Sequence, residues 1–269
     1  MGRRLGQHFL TRKSALDGIA DAACGVGSPL VIEIGAGRGA LTESLLERAE
    51  KVIAIEVDPV LVHYLRQKFR DPIESGRLIL SETDILKADL AAWGPAVIAG
   101  NLPYYITSPI LERLFAAREA WQRAVILVQA EVAARIVAQP GCREYGYLSV
   151  LVQTQARAER LIEVPRAAFR PPPKVDSAVV RLEPRPSGED FGIKDLTVFL
   201  NFAGNCFRYK RKTLRNNLAG LFDRSAVEAV VGPKDRAEQM GVAELVQLFS
   251  HLNEPIDQSV SGKHPLQSD

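Results

Sequence analysis

The chain has 269 residues, 46% of them apolar and 25% charged, a globular balance that excludes collagen-like, mucin-like and wholly disordered chains. Its 34 Lys and Arg against 32 Asp and Glu leave a formal charge of +2, so any nucleic-acid partner must be argued from where the charges lie. Cys24, Cys142 and Cys206 stand far apart with no C-x-x-C, which speaks for a reducing compartment and against a cysteine-held metal. No apolar run reaches the ~18 residues of a membrane span, and the basic N-terminus leads into no apolar segment. The expectation is a cytoplasmic protein with no membrane partner.

Strand and helix signals alternate through the first half. Leu30 to Ile34 is a β-branched run that ends at a glycine cluster, and Leu41 to Arg48 reads as a helix with Leu41, Leu45 and Leu46 on one face. A strand over 51–57 follows, then a helix opened by Pro59 and running to about Phe69. Short strands are predicted over 78–80, 96–99 and 124–128, with helices over 108–117 and 131–138 between and after the last two. This alternation means βαβ units and a parallel sheet. Two later strands, 157–164 and 177–182, flank the proline-rich stretch Phe169 to Lys174. The composition changes at 184–190, a plausible linker. Helical signals over 196–207, 212–221, 226–231 and 242–252 follow it, and a polar tail ends the chain.

The first predicted strand runs into Glu33-Ile34-Gly35-Ala36-Gly37-Arg38-Gly39. Glycines at Gly35, Gly37 and Gly39 permit a tight turn and close approach to a ligand, although tight strand–helix packing needs the same residues. The spacing is G-x-G-x-G, not the G-x-G-x-x-G of dinucleotide sites. Glu56 ends the next strand, 21 residues after Gly35, where a carboxylate can accept hydrogen bonds from two ribose hydroxyls. Asp84 stands at the end of the third strand. It suits an adenine amino group or, equally, a helix N-cap. NAD and S-adenosylmethionine both carry adenosine and fit these features alike.

The fourth strand decides between them, because it runs into Asn101-Leu102-Pro103-Tyr104. This tetrapeptide resembles the motif of methyltransferases acting on adenine N6. An exocyclic amine donates its lone pair into the purine ring and is a poor nucleophile. The Asn101 side-chain oxygen and the Leu102 carbonyl can accept its two N–H groups and localise that lone pair. Pro103 stiffens the turn, and Tyr104 offers a flat face for the base, a contact worth ~1–3 kcal/mol. Alignment for in-line transfer then suffices, with no metal and no histidine base. The histidines His8, His63, His251 and His264 form no recognisable site.

With these residues in place the chain resembles the KsgA family of small-subunit ribosomal RNA adenine N6-dimethyltransferases, nearly end to end. The matching segments are Gly6-Gln7-His8-Phe9-Leu10, the glycine turn, Gly100 to Tyr104, Phe169 through Pro171-Pro172-Pro173-Lys174-Val175-Asp176-Ser177, and Arg211 to Leu218. The resemblance implies an α/β fold: a Rossmann-like S-adenosylmethionine-dependent methyltransferase domain over 1–184, a small all-α RNA-binding domain over 185–255, and a flexible tail over 256–269. It also implies roles. His8 and Leu10 would close over S-adenosyl-L-methionine, Gly35 would meet its methionine end, Glu56 its ribose and Asp84 its adenine. Asn101 would touch both cofactor and target amine, and Phe169 would stack on the base opposite Tyr104. The implied substrate is a pair of adjacent adenosines in the 3′-terminal hairpin of 16S rRNA on the small ribosomal subunit, with the enzyme a monomer. Departures are His8 and Tyr105, where asparagine is common in the family, and Lys210 before Arg211.

Arg208, Lys210, Arg211, Lys212 and Arg215 crowd a short segment, and no acid occurs between Asp195 and Asp223. Phe207 and Tyr209 interleave these cations. The pattern suits phosphate contacts, which supply affinity and salt dependence rather than sequence choice, although a solvated helix face is the usual meaning of a charge run. The C-terminal segment argues for a small-subunit target over a large-subunit methyltransferase of the macrolide-resistance type. The intact Gly35, Glu56, Asp84 and Asn101 argue against a ribosome-assembly factor that only binds. No constellation for an NAD oxidoreductase is present.

Overall fold

The computed structural model describes residues 8–25, 28–185 and 191–253. The chain divides into two compact units, residues 1–190 and 191–269. The tail expected over 256–269 lies outside the described residues.

In the first unit, β1 (Phe9–Leu10) leads to α1 (Lys13–Cys24), and the parallel part of the main sheet begins with β2 (Ser28–Ile34). The units α2 (Ala40–Leu46) with β3 (Ala49–Glu56), then α3 (Pro59–Lys68) and α4 (Arg70–Glu74) with β4 (Leu78–Glu82), step outward to one edge. The chain then crosses back to β5 (Ala96–Asn101), α5 (Thr107–Ala116) and β6 (Trp121–Gln129). Helices α6 (Ala130–Val137) and α7 (Tyr147–Gln155) precede β7 (Ala156–Val164), β8 (Phe169–Arg170) and β9 (Ser177–Pro184). The sheet order is β4-β3-β2-β5-β6-β9-β7, parallel from β4 to β6, with β9 antiparallel to both β6 and β7. Strands β1 and β8 form a separate antiparallel pair, Leu10 opposite Phe169.

Hydrophobicity accounts for the centre of this arrangement. Val31, Ile32 and Ile34 of β2 are all buried, as are Val52 to Ile55 of β3 and Val97 to Ala99 of β5. Such runs are apolar on both faces because helices cover both sides of a parallel sheet. Each fully buried Val or Ile contributes about 1.5–3 kcal/mol. Helix α1 lays Leu16, Ile19, Ala20 and Ala23 on the core with Leu45 and Leu46 of α2. An acid pins the turn into α3: Asp58 accepts from Val60 N, and Pro59 fits the first helical position.

Helices α1 and α7 escape the sequence reading, as does the short α4. Helix α1 carries small alanines and an interior glycine, which mute its periodic signal. Helix α7 holds Val150, Val152 and Thr154, residues that favour strands, yet it is buried on most sides and packs as a helix. Tertiary burial overrides propensity there.

The second unit holds α8 (Leu196–Cys206), α9 (Leu214–Leu218), α10 (Arg224–Val230) and α11 (Val242–Asn253). Phe199, Phe202 and Phe249 meet in one cluster, with the Phe199–Phe249 rings edge to face and 5.6 Å apart. The helix expected over 212–221 is shorter: residues 208–212 form a turn, and α9 begins at Leu214.

Candidate active site

The strand order reverses between β2 and β5. In an open α/β sheet this is where loops at the carboxyl ends of the strands diverge and leave a crevice. A cavity of about 540 Å³ opens there. Its lining includes His8, Gly35, Gly37, Glu56, Asp84, Asn101, Leu102, Pro103 and Tyr104, drawn from five separate segments. Most of the residues singled out from the sequence therefore converge on one space.

The glycine turn is tied to the acid at the end of β3. Gly37 has φ +57°, a left-handed conformation, and its N–H donates to Glu56 Oε2 at 2.8 Å. Glu56 Oε1 accepts from Val57 N at 2.9 Å and Asp58 N at 3.0 Å. A carboxylate offers about four acceptor positions, so three backbone donors leave room for about one more. The acid expected to take two ribose hydroxyls thus also clamps the loop, and a diol binding here must share Oε2 with Gly37. The Arg38 guanidinium lies 4.8 Å from the Phe9 ring centroid and covers the same loop.

Asp84 follows β4. Its Oδ1 accepts from Leu86 N at 3.0 Å and folds the next turn, so it acts as a local cap while lining the cavity. Val57, Ile85 and Leu86 add apolar wall beside it. These wall residues, with Phe9, Ile34 and Tyr105, escaped the sequence reading. Their only signal was adjacency to strand-end acids.

Glu33, next to the lining residue Ile34 on β2, is almost wholly buried. Burial pushes its carboxyl up to about 7, a rise that the Thr42 hydrogen bond opposes and the nearby Glu56 charge reinforces. The Thr42 hydroxyl donates to its Oε2 at 2.6 Å.

Asn101 ends β5, and its Nδ2 donates to the His8 carbonyl at 3.2 Å. Leu102 N donates to Leu127 O at 3.0 Å, which fastens the turn to β6. Ile106 N donates to Pro103 O at 3.1 Å and closes a short 3-10 turn over Tyr104–Ile106. The Tyr104 hydroxyl sits 2.7 Å from Ser177 Oγ at the start of β9. Burial raises the phenol above its ordinary range. The His8 ring lies 24° from parallel with the Tyr104 ring, centroids 6.2 Å apart, and His8 Nδ1 is 2.8 Å from Pro171 O.

Three expected site residues are placed elsewhere. Phe169 is fully buried in the core and does not line the cavity. Alternation along β8 turns Phe169 inward and leaves Arg170 exposed, so the base-stacking surface expected of Phe169 is not presented. Leu10, its partner across the pair, is likewise a core residue. Gly39 starts α2 with φ +75°, and a Cβ there would lie 2.3 Å from the Phe69 ring. Gly39 lets α2 pack against Leu65 and Phe69 and is not among the residues that line the cavity.

In the second unit, Arg208, Lys210, Arg211 and Lys212 fall on the exposed turn before α9. Asn217 grips that turn: its Oδ1 accepts from Tyr209 N at 3.0 Å, and its Nδ2 donates to Tyr209 O at 3.3 Å. The Arg208 guanidinium lies 5.4 Å from the Tyr209 ring centroid. Arg215 departs from the expectation of a phosphate contact. Its Nε donates to Val231 O at 2.7 Å and its Nη2 to Glu228 O at 3.1 Å, so it fastens the carboxyl end of α10.

Comparison with known proteins now identifies the arrangement. The profile of a family described as ribosomal RNA adenine dimethylase matches residues 2–254. The chain is 41% identical over 261 residues to the ribosomal RNA small subunit methyltransferase A of Acidobacterium capsulatum, covering 93% of this chain and 91% of that protein. It is 39% identical over 277 residues to the protein of the same name from Synechococcus elongatus, covering 96% and 98%. Among solved structures, a dimethyladenosine transferase from Plasmodium falciparum superposes with a TM-score of 0.77 at 26% identity, over 91% of this chain and 98% of that one. The 23S rRNA methyltransferase ErmE superposes with a TM-score of 0.70 at 27% identity, over 91% and 100%. The chain belongs to the ribosomal RNA adenine dimethylase family.

Proposed function

We propose that this chain dimethylates N6 of two adjacent adenosines in the 3′-terminal hairpin of small-subunit rRNA, with S-adenosylmethionine as methyl donor. The observation that carries the reading is Asn101 in the wall of the cavity, its amide nitrogen tied to the His8 carbonyl, with Tyr104 in the same lining. The small-subunit target is supported by relatives at about 40% identity that are named for it.

The cavity fits the donor. Glu56 and Asp84 present carboxylate oxygens to hydroxyl and amino groups, and Val57, Ile85 and Leu86 provide apolar wall for a flat ring. When bound, S-adenosylmethionine supplies an electrophilic methyl group on a positively charged sulfur. Asn101 Oδ1 and the Leu102 carbonyl accept the two N–H bonds of the adenine amine and draw its lone pair out of the ring. Tyr104 supports the base face, its hydroxyl held by Ser177. The donor would give its methyl carbon to the amine nitrogen that Asn101 and Leu102 hold in line and would leave as the neutral thioether, and the amine's proton would pass to water. The protein's contribution is alignment and desolvation. The target base must leave its stack to enter, as in other base-modifying enzymes.

The turn carrying Arg208, Lys210, Arg211 and Lys212 serves as the phosphate-binding surface in this reading. Among the described residues no helix is long and apolar enough to cross a membrane. The reading extends to a monomer acting in the cytoplasm, as the resemblance implies, and a light-scattering mass of twice the chain would remove the monomer.

The test offers the purified chain labelled S-adenosylmethionine with unmethylated small subunits, large subunits and free rRNA, followed by digestion to nucleosides. N6,N6-dimethyladenosine from small-subunit RNA is the expected product. Label in large-subunit RNA alone would transfer the reading to that target. Cofactor binding without label would leave a protein that acts by binding.

A further inference from the structure

We propose that the exposed face of the β1–β8 pair is a second phosphate-binding surface, built into the first unit, where Arg12, Arg166, Arg170 and Lys174 hold the backbone of the RNA strand whose base enters the cavity. The inference rests on the adenine-N6 reading of that cavity and adds an anchor beside it.

These cations come from two distant segments, and the backbone brings them together. Thr11 N and Arg12 N both donate to Ala168 O, at 2.9 and 3.3 Å, which sets Arg12 against the middle of the segment 166–170. Phe9 stands opposite Arg170. The chain beyond Arg170 loops back, because Asp176 Oδ1 accepts from Arg166 N at 2.8 Å, and Lys174 lies on that loop. Leu10 and Phe169 take the buried side of the pair, while Arg12, Arg166, Arg170 and Lys174 are all exposed.

Their charges are not neutralised by neighbours. Elsewhere in the first unit Arg48, Arg66, Arg70, Arg135 and Arg181 each pair with a carboxylate. Among the described residues no carboxylate pairs with any of the four cations of this face. Asp176 is the one acid of the stretch 165–177. Arg170 Nη1 donates to Phe169 O at 3.1 Å, which leaves the other guanidinium donors for a ligand. A planar guanidinium matches two oxygens of a phosphate group.

Position identifies the partner. Phe9 lines the cavity, so the backbone of Arg170 runs one strand spacing, about 5 Å, from a lining residue. The exposed Arg38 lies over the Phe9 ring and extends the positive edge. A nucleotide whose base enters the cavity keeps a phosphate on either side, so the protein beside the cavity must meet anionic oxygens. Glu56 and Asp84 within the lining repel phosphate, whereas the β1–β8 face attracts it. Strand pairing and the prolines at 171–173 fix the backbone of this face before RNA arrives, which lowers the ordering cost of binding.

The test uses the full chain and measures affinity for unmethylated small subunits over a series of salt concentrations. One variant carries Arg12→Gln, Arg166→Gln, Arg170→Gln and Lys174→Gln together. A control carries Arg66→Gln, Arg70→Gln, Arg135→Gln and Arg181→Gln, the same change in net charge elsewhere on the unit. For the first variant the slope of log affinity against log salt should flatten by roughly two to three units, with at least about a tenfold loss of affinity at moderate salt. The control should stay within about twofold of wild type. Cofactor Kd within about twofold in both shows that they are folded. Arg12→Gln with Arg166→Gln, whose side chains make no hydrogen bond among the described residues, should give about half the change in slope. An unchanged slope in the fourfold variant, or an equal loss in the control, would overturn the surface. Wild-type protein that binds rRNA but forms no dimethyladenosine on any RNA would remove the underlying reading instead.

Discussion

Asn101 and Glu33 occupy neighbouring strands, yet the fold uses their polarity in opposite ways. Asn101 Nδ2 is satisfied by backbone, so what it lends to chemistry is one oriented acceptor. Asn101→Ala removes that acceptor while leaving the basic turn of the second unit untouched. Methyl transfer should fall by at least about a hundredfold, the scale of losing one positioned hydrogen-bonding group, with rRNA binding within about twofold in a filter assay. Glu33 is buried beside Glu56 and held up to about 7, above its ordinary 4.5. The folded chain therefore keeps a proton there that the unfolded chain releases. Between about pH 4.5 and 7 stability should fall as pH rises, by on the order of 3 kcal/mol in total, and level off above. Glu33→Gln keeps an oxygen for Thr42 and removes the charge. Denaturant midpoints taken across that pH range should lose this slope, and an unaltered slope would place the titrating group elsewhere.

Elements carry their own constraints. The turn into α2 works because Gly39 has a left-handed backbone and no side chain against Phe69. Gly39→Ala must strain φ and push the Phe69 ring, for a loss of about 1–3 kcal/mol, read as a lower denaturant midpoint. The β1–β8 pair decides the fate of the FRPPPK segment. Alternation sends Phe169 into the core with Leu10, and the chain beyond presents Pro171 O to His8. In the second unit, the basic turn is shaped by Asn217 from inside α9. Asn217→Ala deletes both bonds to Tyr209, and the turn loses its fixed shape while all four of its cations remain. Weaker rRNA binding at constant net charge is the expected result. Unchanged affinity would mean that the cations act without geometry.

At the scale of the whole molecule, a formal charge of +2 gives no general attraction to RNA, so affinity must come from local surfaces. Neutralising Lys210, Arg211 and Lys212 together should flatten the dependence of log affinity on log salt by roughly two to three units, one per lost phosphate contact. A slope that does not move would assign RNA binding to other cations. The doubly wound topology does the complementary work. By reversing strand order between β2 and β5, it gathers the ends of β2, β3, β4 and β5 around one cavity.

Much of this was legible in the sequence because the parallel sheet writes itself in short apolar runs, each ending in the residue that faces the crevice. Leu30 to Ile34 ends at Gly35, the next strand at Glu56, and the fourth at Asn101, so residue type and position at the strand end located most of the cavity before any contact was known. The basic turn was legible as a charge run, but the use of Arg215 as a helix fastener was not. Contacts between segments far apart in sequence were decided only in three dimensions. No local pattern distinguishes a phenylalanine that will stack a base from one that fills a core, and burial assigned Phe169 to the core. Nor does any pattern bring His8 to Asn101 across 93 residues. Periodicity and turn chemistry are local properties of the chain, whereas the neighbours of a side chain are set by how the elements close around a common core.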